Sequence, residues 1–236
     1  MKPYYEDDLV TLFHGDCLEI SEWLTADVLV TDPPYGIAYR QQRQVSGTKH
    51  DRKRKQDELR AADTLLISSD KSTRARDSAL ELFGMDRPAL VFGSWRMPRP
   101  ANTVQRLLWV KDDSPWVVGL TQMPWITGDE EIYVCGRSLT QFGGKPRKGY
   151  YITHESRSAA SKAVDHPTPK PVGLMESLIE KCPPGVVADP FAGSGATLIA
   201  ARNLGRRAVG VELEERYCEL IAKRLAQQAF DFGGIG

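Results

Sequence analysis

Short apolar runs alternate with segments of helical spacing along most of this chain. Such alternation is typical of β–α–β units, in which helices join parallel strands. The pattern therefore predicts an α/β fold with a doubly wound, mostly parallel sheet of seven strands. The predicted strands are residues 9–13, 28–30, 89–92, 106–110, 131–134, 186–189 and 208–212, and the predicted helices are residues 18–24, 59–66, 72–83, 172–181, 196–203 and 215–228.

Two basic segments interrupt this pattern. Residues 40–58 contain few apolar side chains and are predicted to form a mobile loop. Residues 136–165 are rich in Gly, Ser, Lys and Arg without a clear period, which indicates a short surface insertion. Because 236 residues suit one domain, residues 1–236 are predicted to fold as a single unit carrying both segments.

The composition places the chain among ordinary globular proteins, with 41% hydrophobic and 26% charged residues. It contains no apolar run of membrane-spanning length and begins without a secretory signal pattern, so a cytoplasmic protein without a membrane partner is expected. The four cysteines are scattered, which favours reduced thiols over a disulfide framework or a metal site. Since the formal net charge is zero, any nucleic-acid contact must come from local basic patches.

Acidic residues follow or end four of the predicted strands. They are Asp16, Asp32, Asp189 and Glu212. In an open α/β sheet, ligands bind beyond the carboxyl ends of the strands, so these four side chains are expected along one edge. Such a row of carboxylates repels phosphate and stabilises a cation.

A glycine-rich turn follows the strand that ends at Asp189. A dinucleotide fingerprint requires a third small residue where this chain has Leu198, and Asp189 would face the pyrophosphate. S-adenosylmethionine instead carries two cations, and its carboxylate suits the N-terminus of the helix that follows. Glu212 is placed to accept the ribose hydroxyls. The predicted cofactor-binding residues here are Asp189, Phe191, Gly193, Ser194, Gly195 and Glu212.

The second predicted strand leads directly into Asp32, Pro33, Pro34 and Tyr35. The prolines remove two N–H donors and hold the preceding residues in extended geometry. The Asp32 carboxylate and the Pro33 carbonyl can then accept both hydrogens of an exocyclic amino group, aiming its lone pair at a methyl donor. The Tyr35 ring can stack on a base flipped out of a duplex. The alternative is that these residues only form a turn.

Residues 32–35 and the run Asp-Pro-Phe-Ala-Gly-Ser-Gly at residues 189–195 together resemble the DNA amino-methyltransferases. Their order along the chain matches the beta class of that family. The resemblance implies a Rossmann-like methyltransferase fold with a circularly permuted motif order. It also implies that Asp16 and Cys17 contact the adenine of S-adenosylmethionine, and that Thr168 and Lys170 hold its carboxylate.

Within this family, a tetrad that begins with Asp is similar to N6-adenine enzymes, whereas N4-cytosine enzymes more often begin it with Ser. The resemblance therefore implies methylation of adenine N6 in duplex DNA, with target recognition by residues 136–165. Three alternatives stay open: an N4-cytosine DNA methyltransferase, an RNA N6-adenine methyltransferase and a noncatalytic nucleic-acid-binding protein.

Double-stranded DNA is the expected partner, with phosphate contacts from the two basic segments. Whether the protein is a monomer or a homodimer, and whether a cognate restriction endonuclease accompanies it, stays open. The Trp and Met residues from Trp95 to Trp125 are expected to anchor the core or loops rather than to bind a cofactor. The predicted DNA-binding residues are Arg40, Arg43, Lys49, Arg52, Lys53, Arg54, Lys55, Arg137, Lys145, Arg147 and Lys148.

Overall fold

A computed structural model of the protein describes residues 1–35, 72–111, 128–153 and 169–232. Within these ranges, one sheet of nine strands has the order β1-β2-β9-β8-β3-β4-β6-β5-β7. The predicted α/β fold class is confirmed. The strands are β1 (Tyr5–Glu6), β2 (Val10–His14), β3 (Val28–Thr31), β4 (Ala89–Gly93), β5 (Thr103–Lys111), β6 (Asp129–Cys135), β7 (Tyr150–Thr153), β8 (Val187–Asp189) and β9 (Ala208–Glu212).

Parallel pairing joins β2, β9, β8, β3 and β4, so the carboxyl ends of these five strands meet at one edge of the sheet. Strand β6 runs antiparallel to both β4 and β5. Strand β5 therefore has the direction of β4, and β7 pairs with β5 in parallel. We call the edge at which β3 and β8 end the carboxyl edge, and the opposite edge the amino edge.

All seven predicted strands overlap an observed strand, but the predicted total of seven is wrong because the described residues add β1 and β7. Strand β1 contains only two residues, too few to show an alternating pattern. Strand β7 lies inside the segment predicted as an insertion without a period, and it extends the edge of the main sheet. It forms there by pairing with β5, which a local pattern cannot reveal.

The helix predicted at residues 18–24 is also wrong, since only a 3-10 helix at Glu22–Thr25 is present in this stretch. Asp16 caps a single turn, since its carboxylate accepts from the Leu18 N–H at 2.9 Å and its carbonyl accepts from the N–H groups of Glu19 and Ile20. The indole of Trp23 donates to the Cys17 carbonyl at 2.9 Å and holds the resulting turn against the core. The helix predicted at residues 59–66 lies outside the described residues.

Helices cover both faces of the sheet, which confirms the doubly wound arrangement. Helix α1 (Arg74–Phe83) packs with Trp23 and the β3 residue Leu29 on one face. On the other face, α2 (Val172–Ile179), α3 (Ala196–Asn203) and α4 (Glu215–Phe232) pack against apolar side chains that include Val28 and Val30. Among the described residues, no helix combines the length and the apolar character that crossing a bilayer requires.

Candidate active site

The four predicted acids lie side by side at the carboxyl edge. Asp16 comes two residues after β2, Glu212 ends β9, Asp189 ends β8 and Asp32 directly follows β3. Because the order β2-β9-β8-β3 makes these strands neighbours, the structure brings together residues that are far apart in sequence. The predicted acidic row is therefore present in the fold.

Asp189 is buried, with 2% of its surface exposed. One carboxylate oxygen accepts hydrogen bonds from the Thr31 hydroxyl at 2.6 Å and from the Phe191 N–H at 3.1 Å. Burial outweighs these bonds and raises the pKa of Asp189 to about 6. A bound cation would lower this pKa again by stabilising the charged form.

Glu212 ends the neighbouring strand in a similar environment. Its carboxylate accepts hydrogen bonds from the N–H groups of Gly193 at 2.7 Å and Glu214 at 2.8 Å. Burial is again the larger effect and raises the pKa of Glu212 to about 7. The bond to Gly193 fixes the glycine turn against the end of β9, so both acids border the same turn.

The glycine turn has the backbone geometry that its sequence predicts. Gly193 and Gly195 adopt φ values of 52° and 78°, in the left-handed region that glycine enters at least cost. A Cβ atom on Gly195 would lie 2.9 Å from the Ile221 side chain of α4. Ser194 is buried, and α3 begins immediately after the turn. The turn thus brings the N-terminus of α3 to the carboxyl edge.

The turn at residues 32–35 lies on the other side of Asp189. The Tyr35 hydroxyl is 2.7 Å from Asp32 Oδ1, and the Lys170 ammonium contacts Asp32 Oδ2. Thr31, the last residue of β3, donates its hydroxyl to Asp189. This hydrogen bond connects the strand that leads into the predicted catalytic turn with the strand that leads into the glycine turn.

Glu130, near the start of β6, is part of this site although the sequence analysis did not identify it. Its Oε2 atom is 2.9 Å from the Tyr35 hydroxyl and 3.3 Å from Lys170 Nζ, and its Oε1 atom contacts Lys111. Burial raises the pKa of Glu130, but the charges of Lys170 and Lys111 outweigh it and bring that pKa to about 2. Glu130 is therefore a permanent anion at neutral pH.

Lys170 is the cation at the centre of this cluster, with 5% of its side chain exposed. Burial lowers the pKa of Lys170, but the carboxylates of Asp32 and Glu130 raise it further, so the ammonium stays charged. Burial raises the pKa of Asp32, with Lys170 opposing the shift. The structure thus places Lys170 against the predicted catalytic turn, and its contact with a cofactor carboxylate stays a prediction.

A sequence signal for Glu130 and Lys111 does exist. Both are charged residues at the end of a largely apolar strand, the feature that identified the four acids. The signal for Glu130 was missed because β6 begins, rather than ends, at the carboxyl edge. Lys111 does end β5 at that edge, but it is basic, and only acids at strand ends were considered.

Asp16 and Cys17 follow β2 at the far end of the acidic row. Asp16 is exposed, whereas Cys17 is buried with 5% of its surface accessible. Burial and the charge of Asp16 raise the pKa of the Cys17 thiol to about 12, so the thiol stays neutral. An uncharged side chain beside an exposed carboxylate is compatible with the predicted contact to an adenine ring. Thr168 lies outside the described residues.

The described part of the predicted DNA surface lies away from this site. Arg137 follows β6 and donates its backbone N–H to Asp86, just before β4, so it lies at the amino edge. Lys145, Arg147 and Lys148 precede β7 and lie at the same edge. The structure does not bring these residues to the catalytic turn. The other predicted DNA-binding residues, Arg40, Arg43, Lys49, Arg52, Lys53, Arg54 and Lys55, lie outside the described residues.

Trp95 lies at the carboxyl edge, two residues after the end of β4. It is 62% exposed and does not anchor the core, whereas Trp109 in β5 is 6% exposed and belongs to the core as expected. The exposed Arg96 places its guanidinium 5.5 Å from the centre of the Trp95 ring system. An exposed aromatic ring with a neighbouring cation is a surface suited to nucleic acid.

Comparison with known proteins agrees with this geometry. Residues 128–224 match a DNA methylase family of N6 and N4 methyltransferases. The type II methyltransferase M.ScaI of Streptomyces caespitosus is 25% identical in an alignment that covers 97% of this chain and 85% of that protein.

Solved structures show the same fold. The crystal structure of the M1.HpyAVI complex with SAM superposes with a TM-score of 0.59 at 21% identity, covering 92% of this chain and all of that one. The cytosine-N4-specific PvuII DNA methyltransferase superposes with a TM-score of 0.60 at 16% identity, covering 94% of this chain and 88% of that one.

These matches confirm the resemblance predicted from the motifs, while the assignment to the beta class stays a prediction. The chain is therefore similar to DNA amino-methyltransferases, in sequence over residues 128–224 and in fold.

Proposed function

We propose that this protein transfers a methyl group from S-adenosylmethionine to the N6 atom of an adenine flipped out of duplex DNA. One observation supports this proposal above the others. The Thr31 hydroxyl donates to Asp189 at 2.6 Å, which holds the Asp32–Tyr35 turn beside the glycine turn. An acceptor site for an amino group thus adjoins an anionic site for a positively charged methyl donor.

The names of the relatives support the broader activity, which is methylation of DNA with S-adenosylmethionine. M.ScaI is a type II methyltransferase, and the M1.HpyAVI structure contains SAM. These relatives favour S-adenosylmethionine as the cofactor and DNA as the substrate of this chain.

The residues at the carboxyl edge fit this cofactor. Asp189 and Glu212 are buried acids with raised pKa values, so both are stabilised by a nearby cation. The left-handed turn at Gly193 and Gly195 lets the backbone approach a ligand closely. When bound, S-adenosylmethionine supplies an electrophilic methyl group on a sulfonium centre. Asp16, Cys17, Phe191, Ser194, Thr168 and Lys170 complete the proposed cofactor-binding set.

The turn at residues 32–35 orients the nucleophile. Asp32 and the Pro33 carbonyl accept the two amino hydrogens, which localises the nitrogen lone pair. That lone pair forms the new N–C bond as the C–S bond breaks and its electrons stay with sulfur. The nitrogen then releases one proton to water, and the Asp32 carboxylate stabilises its positive charge until that moment. Pro34 keeps the turn extended, and the Tyr35 ring stacks on the flipped base.

Methylation of cytosine N4 is the second candidate, because the PvuII enzyme with the same fold is cytosine-N4-specific. Both reactions need the same acceptors and the same methyl donor, and they differ in the shape of the base pocket. The tetrad that begins with Asp32 favours adenine.

The test is incubation of the purified protein with duplex DNA and isotopically labelled S-adenosylmethionine, followed by mass spectrometry of the nucleosides. We expect label in N6-methyladenine. Asp32→Ala should abolish transfer and leave cofactor binding measurable by calorimetry, whereas the exposed Asp8→Ala should retain activity. Label in N4-methylcytosine alone selects the second candidate, label only with RNA selects an RNA enzyme, and DNA binding without label indicates a noncatalytic protein.

A further inference from the structure

Glu130 lies at the carboxyl edge with 17% of its side chain exposed, and none of the predicted roles includes it. Resting on the function proposed above, we propose that Glu130 is a positioning residue for methyl transfer, which fixes Tyr35 and shares Lys170 with Asp32. It touches neither DNA nor cofactor in this role and acts through the groups that surround Asp32.

The contacts form a closed ring. Tyr35 joins the two carboxylates, since its hydroxyl is 2.7 Å from Asp32 Oδ1 and 2.9 Å from Glu130 Oε2. Lys170 joins them on the other side, since its ammonium contacts Asp32 Oδ2 and lies 3.3 Å from Glu130 Oε2. Each neighbour of Asp32 in this ring is therefore also held by Glu130.

One hydroxyl proton serves two acceptors in this ring. The Tyr35 hydroxyl can donate to Asp32 or to Glu130, but not fully to both. A bond to Glu130 leaves Asp32 Oδ1 free to accept a hydrogen from the target amino group. Glu130 thus supplies an alternative acceptor for Tyr35 while Asp32 engages its substrate.

Among the described residues of the cluster, two carboxyl groups face two lysines. Lys170 contacts both Asp32 and Glu130, and Lys111 contacts Glu130. Glu130 keeps its charge at neutral pH because the two lysines hold its pKa at about 2 against the opposing effect of burial. Without that charge, an uncompensated lysine would lie beside the turn where the amino nitrogen becomes positive. Loss of the Glu130 charge therefore disfavours the transition state.

The competing explanation is that Glu130 only stabilises the fold as a buried ion pair. Its neighbour Glu131 provides a matched control. Glu131 is 7% exposed, bonds to the Tyr133 hydroxyl at 2.5 Å and pairs with Arg106 at 3.1 Å. Because successive side chains of a strand point to opposite faces, Glu131 is separate from the ring, and its side chain is 9% exposed compared with 17% for Glu130.

The experiment compares Glu130→Gln with Glu131→Gln in the full-length protein, with labelled S-adenosylmethionine and duplex DNA. We expect Glu130→Gln to lower kcat about tenfold or more, with KM for the cofactor changed by less than about twofold. Glu131→Gln should keep kcat near the wild-type value. Thermal melting of both variants reports any general effect on folding.

A double-mutant cycle then tests the route through Tyr35. If Glu130 acts through that hydroxyl, the double variant Tyr35→Phe with Glu130→Gln should lose less kcat than the product of the two single fold-losses. If Glu130→Gln does not fold, Glu130→Asp replaces it, since it keeps the charge and shortens the reach to Tyr35. We expect a kcat loss of about threefold or more for that variant as well.

Three results would overturn the inference. The first is a wild-type kcat for Glu130→Gln, or for Glu130→Asp where that variant replaces it. The second is an equal loss of kcat in Glu130→Gln and Glu131→Gln. The third is a double variant with Tyr35→Phe whose kcat loss equals the product of the single losses. Wild-type protein that transfers no label would instead refute the proposed function, so the two failures are distinguishable.

Discussion

Two buried acids, Asp189 and Glu212, border the glycine turn without a cation in contact with either carboxylate in the described structure. Each carboxylate accepts hydrogen bonds from nearby backbone or hydroxyl groups. Burial nevertheless raises the pKa of Asp189 to about 6 and that of Glu212 to about 7. At the scale of single residues, the free protein therefore favours a partly protonated site near neutral pH. A cationic ligand reverses that preference.

The first prediction is that cofactor affinity increases as pH rises through 6 and 7. Below these pKa values the acids are neutral and attract a cation weakly, and above them both are charged. Binding at pH 6 should therefore release protons, which calorimetry in buffers of different ionisation enthalpy detects. The gain in affinity is at most about tenfold per pH unit for each group.

Glu212→Gln provides the control for this prediction. Removing one titrating group should flatten the pH dependence between pH 6 and 8, and an unchanged slope would contradict the assignment to Glu212.

At the scale of elements, the junction between β8 and α3 sets the position of the glycine turn against α4. Gly195 is the residue before α3, and its left-handed backbone brings it against Ile221 in α4. Two separate constraints therefore act at this position: a backbone conformation that favours glycine, and a lack of space for a side chain. Gly205, which follows α3, has only the first constraint, since no atom of the described residues beyond its chain neighbours lies within 4 Å of the position that a Cβ atom would take there.

We predict that Gly195→Ala lowers the free energy of unfolding more than Gly205→Ala does. Both changes carry a left-handed strain of about 1–2 kcal/mol. Gly195→Ala adds the clash with Ile221, which costs about 1–3 kcal/mol more. Urea unfolding monitored by circular dichroism measures both values. Equal losses of unfolding free energy would contradict the prediction, because they would mean that Ile221 in α4 moves away from the new methyl group at no cost.

At the scale of the whole molecule, the zero net charge hides an uneven distribution. The carboxyl edge combines the acidic row with the exposed Trp95 and Arg96, which follow the end of β4. The basic residues Lys145 and Lys148 lie at the amino edge. DNA that delivers a base to the Asp32 turn must approach the carboxyl edge.

The prediction is that Trp95→Ala with Arg96→Ala weakens DNA binding more than Lys145→Ala with Lys148→Ala. Each lost phosphate contact should reduce the slope of log affinity against log salt concentration by about 0.9. Fluorescence anisotropy with labelled duplex over a series of salt concentrations measures this slope. A larger effect from the lysine pair would place the DNA at the amino edge and contradict the proposed approach.

Much of the fold was predictable because its signals are local. Each of the seven predicted strands overlaps an observed one, and the bounds of α3 agree with the prediction. The helix at residues 18–24 failed because Asp16 and Trp23 bind nearby backbone groups and stabilise turns instead. The strand at Tyr150–Thr153 was missed because its stability comes from pairing with β5.

The sequence by itself determined the acids at the strand ends, the glycine turn and the Asp32–Tyr35 turn. Each depends on residues adjacent in the chain, since a strand end, a left-handed glycine and a proline pair are local constraints. Only the tertiary structure placed Lys111 and Lys170 against Glu130, and Arg137 at the opposite edge. Those positions depend on the antiparallel direction of β6, which is set by pairing between distant segments and leaves no local pattern.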